Sequence, residues 1–477
     1  MMRPFPVFPV RRDDDGFVMI VAVLLLSIVA SLGVVVMTSG NHSSLATGRG
    51  RSWVQSLHVA EAGVQDAMAR MDSSGAIPAN FSGSTDEGTY AVEITPLGRS
   101  RYRVEVLGTV AAGSSLKAAR RVRVTLAPPE SFNAALFSHT SVDTKNNDNV
   151  VGDIWANQNV IVDANDVIQG SVTAATGFVH MRGGSRVTKS VQSGGYNATT
   201  TNGIFLDNNA RIDGDAISSV TAPTDPVTCG GESQNNFTIR EQSGAVIGGN
   251  VTTWGARTGP GTVSGTISEH VCTAAPAAQP MPTYSYNVSN YDPATLHEWG
   301  TPSASSATAL ADFNTYLAAN KSALAGTFTI FQTGTITQAT RIDLSGVKTA
   351  GDVTLVTNLP VFTNGIEDLP SVTDAVVLVA SFYQPPAGTV CDVNHDDSDC
   401  SIHAKNSFQT SGATAVLLYA PYGPVAIKNN QEMFGAVYAD NIQIKNNQTL
   451  TYDARVDRIV GFGPVTLEPT DWMELPS

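Results

Sequence analysis

Charged residues are scarce, 15% of the 477 in the chain against about 25% in an ordinary soluble protein, while 42% are hydrophobic. That balance excludes a long solvated, disordered chain, which needs much charge and few apolar groups. Basic residues are the scarcer sign: 28 Lys and Arg stand against 42 Asp and Glu, a formal charge of -14. Such a chain repels the phosphate backbone, so nucleic acid is excluded as a partner. Aromatics reach only 7%. Cysteine is rarer still, with Cys229, Cys272, Cys391 and Cys400 all in the C-terminal half and none in a C-x-x-C spacing, which excludes a compact zinc or thioredoxin-like site. The eight histidines form no H-x-H or H-E-x-x-H pair, and no catalytic constellation stands out. What is abundant is glycine (42) and proline (24), together with Ser, Thr and Asn, which suits turn-rich, mainly β structure built from small side chains. The length gives a prior of about three domains.

One long apolar run is present. Phe17 to Met37 is 21 consecutive uncharged residues, about 31 Å as a helix and enough to cross the hydrocarbon core. Arg11 and Arg12 precede it, so the positive-inside tendency predicts a cytoplasmic N-terminus, a single pass and an exported ectodomain. Beyond it, Trp53, Leu57, Ala60, Val64, Ala67 or Met68, and Met71 recur at steps of three and four, which predicts an amphipathic helix with these residues on its buried face. Export and an even cysteine count favour disulfides, and sequential pairing, Cys229 with Cys272 and Cys391 with Cys400, is the simplest of three connectivities.

A short polar leader ending in Gly16, then Phe17 and an unbroken apolar run, resembles the class III signal of type IV pilins and pseudopilins. The segment Ala60-Glu61-Ala62-Gly63 resembles the AEAG signature of PilX-like minor pilins. The resemblance covers about the first 75 residues. It implies prepilin peptidase cleavage between Gly16 and Phe17, methylation of Phe17, and passage of the helix from the membrane into a filament with other pilin-like subunits. Major pilins carry glutamate at the fifth mature position, where this chain has Val21. The resemblance therefore implies a minor subunit of a type IV pilus-like or type II secretion-like filament, with the tip as one position open to it, rather than a bulk one.

After Ser73-Ser74-Gly75, alternating segments Thr89–Thr95, Arg101–Val110 and Lys117–Leu126 predict a small antiparallel meander packed on the helix, the pilin head architecture. From about residue 133 the texture becomes repetitive. Gly152-Asp153-Ile154, Gly170-Ser171-Val172, Gly214-Asp215-Ala216, Gly249-Asn250-Val251 and Gly265-Thr266-Ile267 share one form, the first two 18 residues apart. Ile427-Lys428-Asn429-Asn430-Gln431 returns 17 residues later as Ile444-Lys445-Asn446-Asn447-Gln448, with Gly435-Ala436-Val437 between them. A coil of this length with Gly and Asn at its corners predicts a parallel β-solenoid, a β-sandwich being the competing fold. The chain thus divides into a leader (1–16), the helix (17–73), the meander (74–130), a solenoid region (131–282), a linker with a short helix around Leu310, Phe313 and Leu317 (283–326), and a second solenoid-like region (327–477). The short helix either caps an open solenoid end or forms an independent linker.

Asp392, Asn394 and Asp396 alternate like the first ligands of an EF-hand calcium loop, with Ser398 following, but Asp397 and His403 occupy the places of its glycine and final acid. The segment reads either as a calcium site or as an acidic solvated loop closed by Cys391 and Cys400. Asp153, Asp163 and Asp166 are the carboxylates for the alternative of a membrane-anchored carbohydrate-active β-helix enzyme. The favoured function is display of a solenoid for assembly priming or adhesion to a surface receptor or polysaccharide, with no catalysis and no cofactor other than calcium.

The signal makes the first testable statement. Intact-mass or N-terminal analysis of membrane-extracted protein is expected to find methylated Phe17 first, and a mature chain beginning at Met1 or Met2 would overturn the cleavage.

Overall fold

The computed structural model describes residues 15–74, 80–98, 101–112, 116–127, 134–200, 202–219, 238–392, 395, 399–405, 408–409, 412–428, 432–459, 462 and 468–475. Its first element is the helix Asp15–Ser74. The described side chains between Val23 and Met37 are exposed, and among the described residues no helix is long and apolar enough to cross a membrane, the side chains at 17–22, 33 and 35 lying outside that description. The second half of the helix lies on an antiparallel sheet of five strands, Phe81–Thr85, Gly88–Gly98, Arg101–Ala112, Leu116–Ala127 and Glu468–Leu475, hydrogen-bonded in that order. Val59, Ala60, Val64 and Ala67 are buried against Val92, Val104, Val106, Val122 and Val124. Each fully buried valine contributes roughly 1.5–3 kcal/mol.

The expected Ala60, Val64 and Ala67 are buried and Leu57 and Met68 pack half-buried on the same core, so the helix departs from the expected face at Trp53. Ser52, Ser56, Val59 and Gly63 join Ala60, Val64 and Ala67 inside, while Trp53 is 54% exposed with the Arg120 guanidinium 3.8 Å from its ring centre. The reason is backbone proximity: a Cβ on Gly108 would lie 2.4 Å from the Ser56 carbonyl oxygen and 2.6 Å from the Ala60 amide. Only small residues fit there, so Trp53 turns outward. The meander itself has one strand before it and one after it, and the last strand, placed by the sequence in the second solenoid region, is a member of this sheet.

Among the described residues all remaining strands belong to one sheet of 30, paired in parallel and wound as a three-faced solenoid. The first face is exemplified by Asp153–Ala156, Val172–Ala174 and Val191–Ser193, the second by Val160–Val162 and Val179–Met181, the third by Val167–Gln169 and Arg186–Val187. Alternation puts Ile154, Val160, Val162, Ile168, Val172 and their equivalents into a continuous dry core. The parallel registers exclude the sandwich.

The two regions read from the sequence are one stack, with its middle formed by the two ends of the inserted chain. Strand Glu432–Lys445 pairs in register with Ala134–Lys145, joining Val437 to Leu136 and Lys445 to Lys145. From that seam the chain 134–268 builds coils outward to one end. Residues from 269 onward, expected to finish the first solenoid, instead form a strap over the outside of the first face. Ser219 bonds Thr273 at 2.9 Å, Asn157 exchanges two bonds with Gln279 at 2.6 and 2.9 Å, and Tyr419 donates to the Pro282 carbonyl at 2.6 Å. Between those contacts lie six coil steps, about 29 Å, which an extended chain of about nine residues spans. The opposite end is capped: helix Ala309–Asn320 buries Phe313 and Leu317 in the solenoid core. Coils Leu324–Ile330, Val347–Thr357, Ala375–Ser381 and Thr414–Lys428 then return to the seam.

The uncapped end is held by an ion pair. Arg257 binds Glu241 through two bonds of 2.8 and 2.5 Å, with the Glu241 side chain fully buried. Arg257→Ala strands that carboxylate, a loss of about 3–5 kcal/mol. In a stack where each coil touches only its neighbours the damage stays local. Hydrogen exchange should therefore accelerate in residues 251–268 while the seam stays protected, and unchanged exchange in the last coil would refute this role.

Candidate functional site

The three corners of the solenoid differ in chemistry. Between third and first faces stands the repeated Gly-polar-apolar form. A Cβ on Gly170 would lie 2.1 Å from the Gly152 carbonyl oxygen, so glycine alone fits where coils meet. The next residue bridges coils: Asp153 accepts from the Ser171 amide at 2.7 Å, Asp215 from Asn250 at 2.6 Å, and Asn250 from Thr266 at 3.0 Å. Between second and third faces every described turn is tight, with Asn147, Asn165, Gly184, Asn209, Gly244 and Asn447 at positive φ. Buried acids cap these turns. Asp166 accepts from the Thr144 hydroxyl at 2.5 Å and from the Asp148 and Asp163 amides at 2.7 and 2.9 Å, and Asp148 accepts from Gln448 across the seam at 2.9 Å. Asp153 therefore sits at one corner and Asp163 and Asp166 at another. The arrangement does not bring the three carboxylates together.

The corner between first and second faces carries the length variation. It is three residues long at 157–159, but it grows to 194–201, 219–237 and 382–401. Insertions confined to one side of a repeat stack are characteristic of its binding side. At mid-stack, beside the seam, this corner and the strap enclose a groove of about 400 Å³, within the roughly 300–1,000 Å³ of small-ligand sites. Tyr284 and Tyr419 are 4% and 1% exposed and form its floor with Phe382, while Tyr422 is 58% exposed at the rim, 6.1 Å from the Phe382 ring. The Tyr419 hydroxyl is locked between the Pro282 carbonyl, to which it donates, and the Tyr284 amide, from which it accepts at 3.2 Å. The polar wall is His139, Asp440, Gln384 and Thr283, with His139 Nδ1 3.4 Å from Asp440 Oδ1.

None of the groove residues was singled out from sequence. Their signal is the pairing of aromatics in a chain poor in them: Tyr284 with Tyr286, Phe382 with Tyr383, Tyr419 with Tyr422. Of the predicted site residues, Ala60 and Gly63 make the close helix-to-sheet contact, a Cβ on Gly63 falling 2.6 Å from Val106, while Glu61 and Ala62 are half-buried. The backbone of Gly16 and Phe17 belongs to the first helix, their side chains lying outside the described ones. Cys391 and Cys400 are bridged at 2.02 Å, and the bridge packs on Ala426 of the second face. Cys272 is disulfide-bonded, and Cys229 lies outside the described residues. Asp392 lies 3.4 Å from His395, whereas Asn394, Asp396 and Ser398 lie outside the described residues. Among the described residues no three His, Cys, Asp or Glu side chains converge on a metal position.

No family model matches the chain, and no curated protein matches it. Among solved structures it is similar to a possible adhesin C-terminal domain from Caldicellulosiruptor kronotskyensis, at 10% identity over 71% of this chain and 98% of that one, with a TM-score of 0.22.

The seam carries a pH dependence. Burial pushes the Asp148 carboxyl up to about 7, against the pull of its hydrogen bonds to Gln448 and Lys145, and the Asp166 carboxyl up to about 6. A carboxyl whose folded pKa is raised binds more protons folded than unfolded, so its stabilisation is complete below the unfolded value of 3.8 and is lost as pH rises through 6 to 7. Thermal unfolding of the solenoid should have a higher midpoint near pH 5 than near pH 8. Asp148→Asn should flatten the difference, and a midpoint that rises over this interval would contradict the assignment.

Proposed function

We propose that this chain is a minor, pilin-like subunit of a type IV pilus-like or type II secretion-like filament, anchored through Phe17–Met37 after processing at Gly16, which displays the solenoid for adhesion or assembly priming. The observation that carries the reading is the topology of insertion. The chain leaves the helix-and-sheet head after Ala127, builds the whole solenoid, and rejoins the head at Glu468, the residue paired with Ala127. A body inserted between two paired strands is cargo on a carrier.

Four further features support it. The helix has an apolar, exposed first half and a second half packed on an antiparallel sheet, the arrangement that a filament subunit needs. Ala60 and Gly63 supply the small contacts of the AEAG segment. Val21 stands where a bulk subunit needs a carboxylate. The corner acids have structural work in holding coils together, and display asks no proton transfer of them.

The pairing of Ala127 with Glu468 supplies the test. Deleting residues 128–467 and joining the two strands by a short Gly-rich turn should leave a head that still enters the membrane fraction. The same variant should lose binding to cell surfaces and filament function. Surface binding retained without the solenoid would overturn the display reading, and polysaccharide cleavage by the full chain that vanishes with Asp153, Asp163 and Asp166 changed to Asn would replace it with the enzyme.

A further inference from the structure

We infer that the groove between the strap and the insert-bearing corner is a binding site for a short neutral saccharide chain, with Tyr422 as its stacking platform; this rests on the display reading and gives it a ligand class. The argument begins with what the walls lack. Among the described residues no Lys or Arg lines the groove, and the chain carries a net -14, so a sulfated, phosphorylated or uronic polyanion is disfavoured there. A purely apolar ligand is disfavoured by a wall containing an imidazole, a carboxylate, an amide and a hydroxyl.

A pyranose ring matches both kinds of surface. Its axial C–H groups form an apolar patch that lies on an aromatic face, and its rim of hydroxyls both donates and accepts. Tyr422 offers one such face to solvent. Asp440 accepts, and Gln384 and Thr283 do both. The Tyr284 and Tyr419 hydroxyls are engaged with Tyr291 and with Pro282, so the floor supplies shape while the rim supplies recognition. A cage for a quaternary ammonium needs several ring faces aimed at one point, whereas Phe382 and Tyr419 meet edge to face at 71° and leave Tyr422 alone turned outward.

Size and rigidity agree. Gln384, Tyr422, Asp440 and His139 come from four successive corners of the stack, a rise of about 14 Å, longer than one sugar ring. The corners are fixed before any ligand arrives, because the strap is tied to Tyr419 and the insert 382–401 is closed by the Cys391–Cys400 bridge, whose two carbonyls accept from Gln443 and Gln338 at 3.1 and 2.8 Å. Preorganised walls spare the ordering cost that weakens saccharide binding by flexible loops.

The full chain in mild detergent should be screened against an array of neutral glycans, with maltotriose, cellotriose, chitotriose and xylotriose then titrated by calorimetry and ligand-observed NMR, and with heparin trisaccharide and choline as controls. At least one neutral glycan is expected to bind. Tyr422→Ala should weaken that binding by about ten-fold or more, Tyr422→Phe should retain it, and neither should move the unfolding midpoint, since the ring is exposed. Binding of no neutral glycan, binding indifferent to Tyr422→Ala, or preference for heparin or choline would each overturn the inference. The display reading fails separately: cell-surface binding that needs the solenoid but ignores Tyr422→Ala sinks the saccharide site alone, whereas surface binding that persists without the solenoid sinks both.

Discussion

Everything in this molecule beyond the head depends on the coil-to-coil hydrogen bond. A parallel stack at about 4.8 Å per coil leaves no slack, so each turn of chain must return to the same height and phase as the one before. The corners meet that demand in two ways. Glycine lets backbones approach where a Cβ on Gly170, Gly249 or Gly265 would clash with the coil beneath. Asparagine and glycine at positive φ let the chain turn between second and third faces. The dry Val and Ile core follows from the same periodicity, because a one-residue slip would send every one of those side chains outward.

The price of tight corners is buried charge. Asp148, Asp163 and Asp166 satisfy amides and a hydroxyl that the turn would leave unbonded, and in doing so they accept desolvation that raises Asp148 and Asp166. Carboxylates that look like a catalytic set in one dimension are thus joints in three. Freed from closing the coil, the third corner varies in length, and there the aromatic groove has formed.

The repeats were legible because solenoid geometry is written locally. Ile427 and Ile444 share a register, as do Lys428 and Lys445, so the sequence period is one coil. Gly152, Gly170, Gly249 and Gly265 mark one corner for the same reason. The order of the coils was legible at one point: Lys145-Asn146-Asn147 repeats as Lys445-Asn446-Asn447, and the two strands that carry them pair in register about 300 residues apart, Val437 beside Leu136. Elsewhere the order was not legible, since any two coils of this composition offer the same edge. The strap was hidden similarly: residues 269–291 have no repeat, and their anchors, Asn157, Ser219 and Tyr419, are ordinary residues of distant coils. In the head, periodicity found the helix and most of its buried face but misplaced Trp53, because backbone contact at Gly108 outweighs the hydrophobicity of that side chain.

The return of the last strand to the head has a mechanical consequence. Ala127 and Glu468 are paired neighbours, so the solenoid hangs from two adjacent strands that leave the sheet at the same end. A load on the solenoid pulls both strands in one direction. Their bonds to each other bear little of it, and the resistance falls on the ladder between Leu116–Ala127 and Arg101–Ala112, which is loaded in shear along eleven paired residues. A single tether ending in an edge strand would peel one hydrogen bond at a time. Two tethers side by side must break many together, so the joint holds by cooperativity rather than by the strength of any one contact.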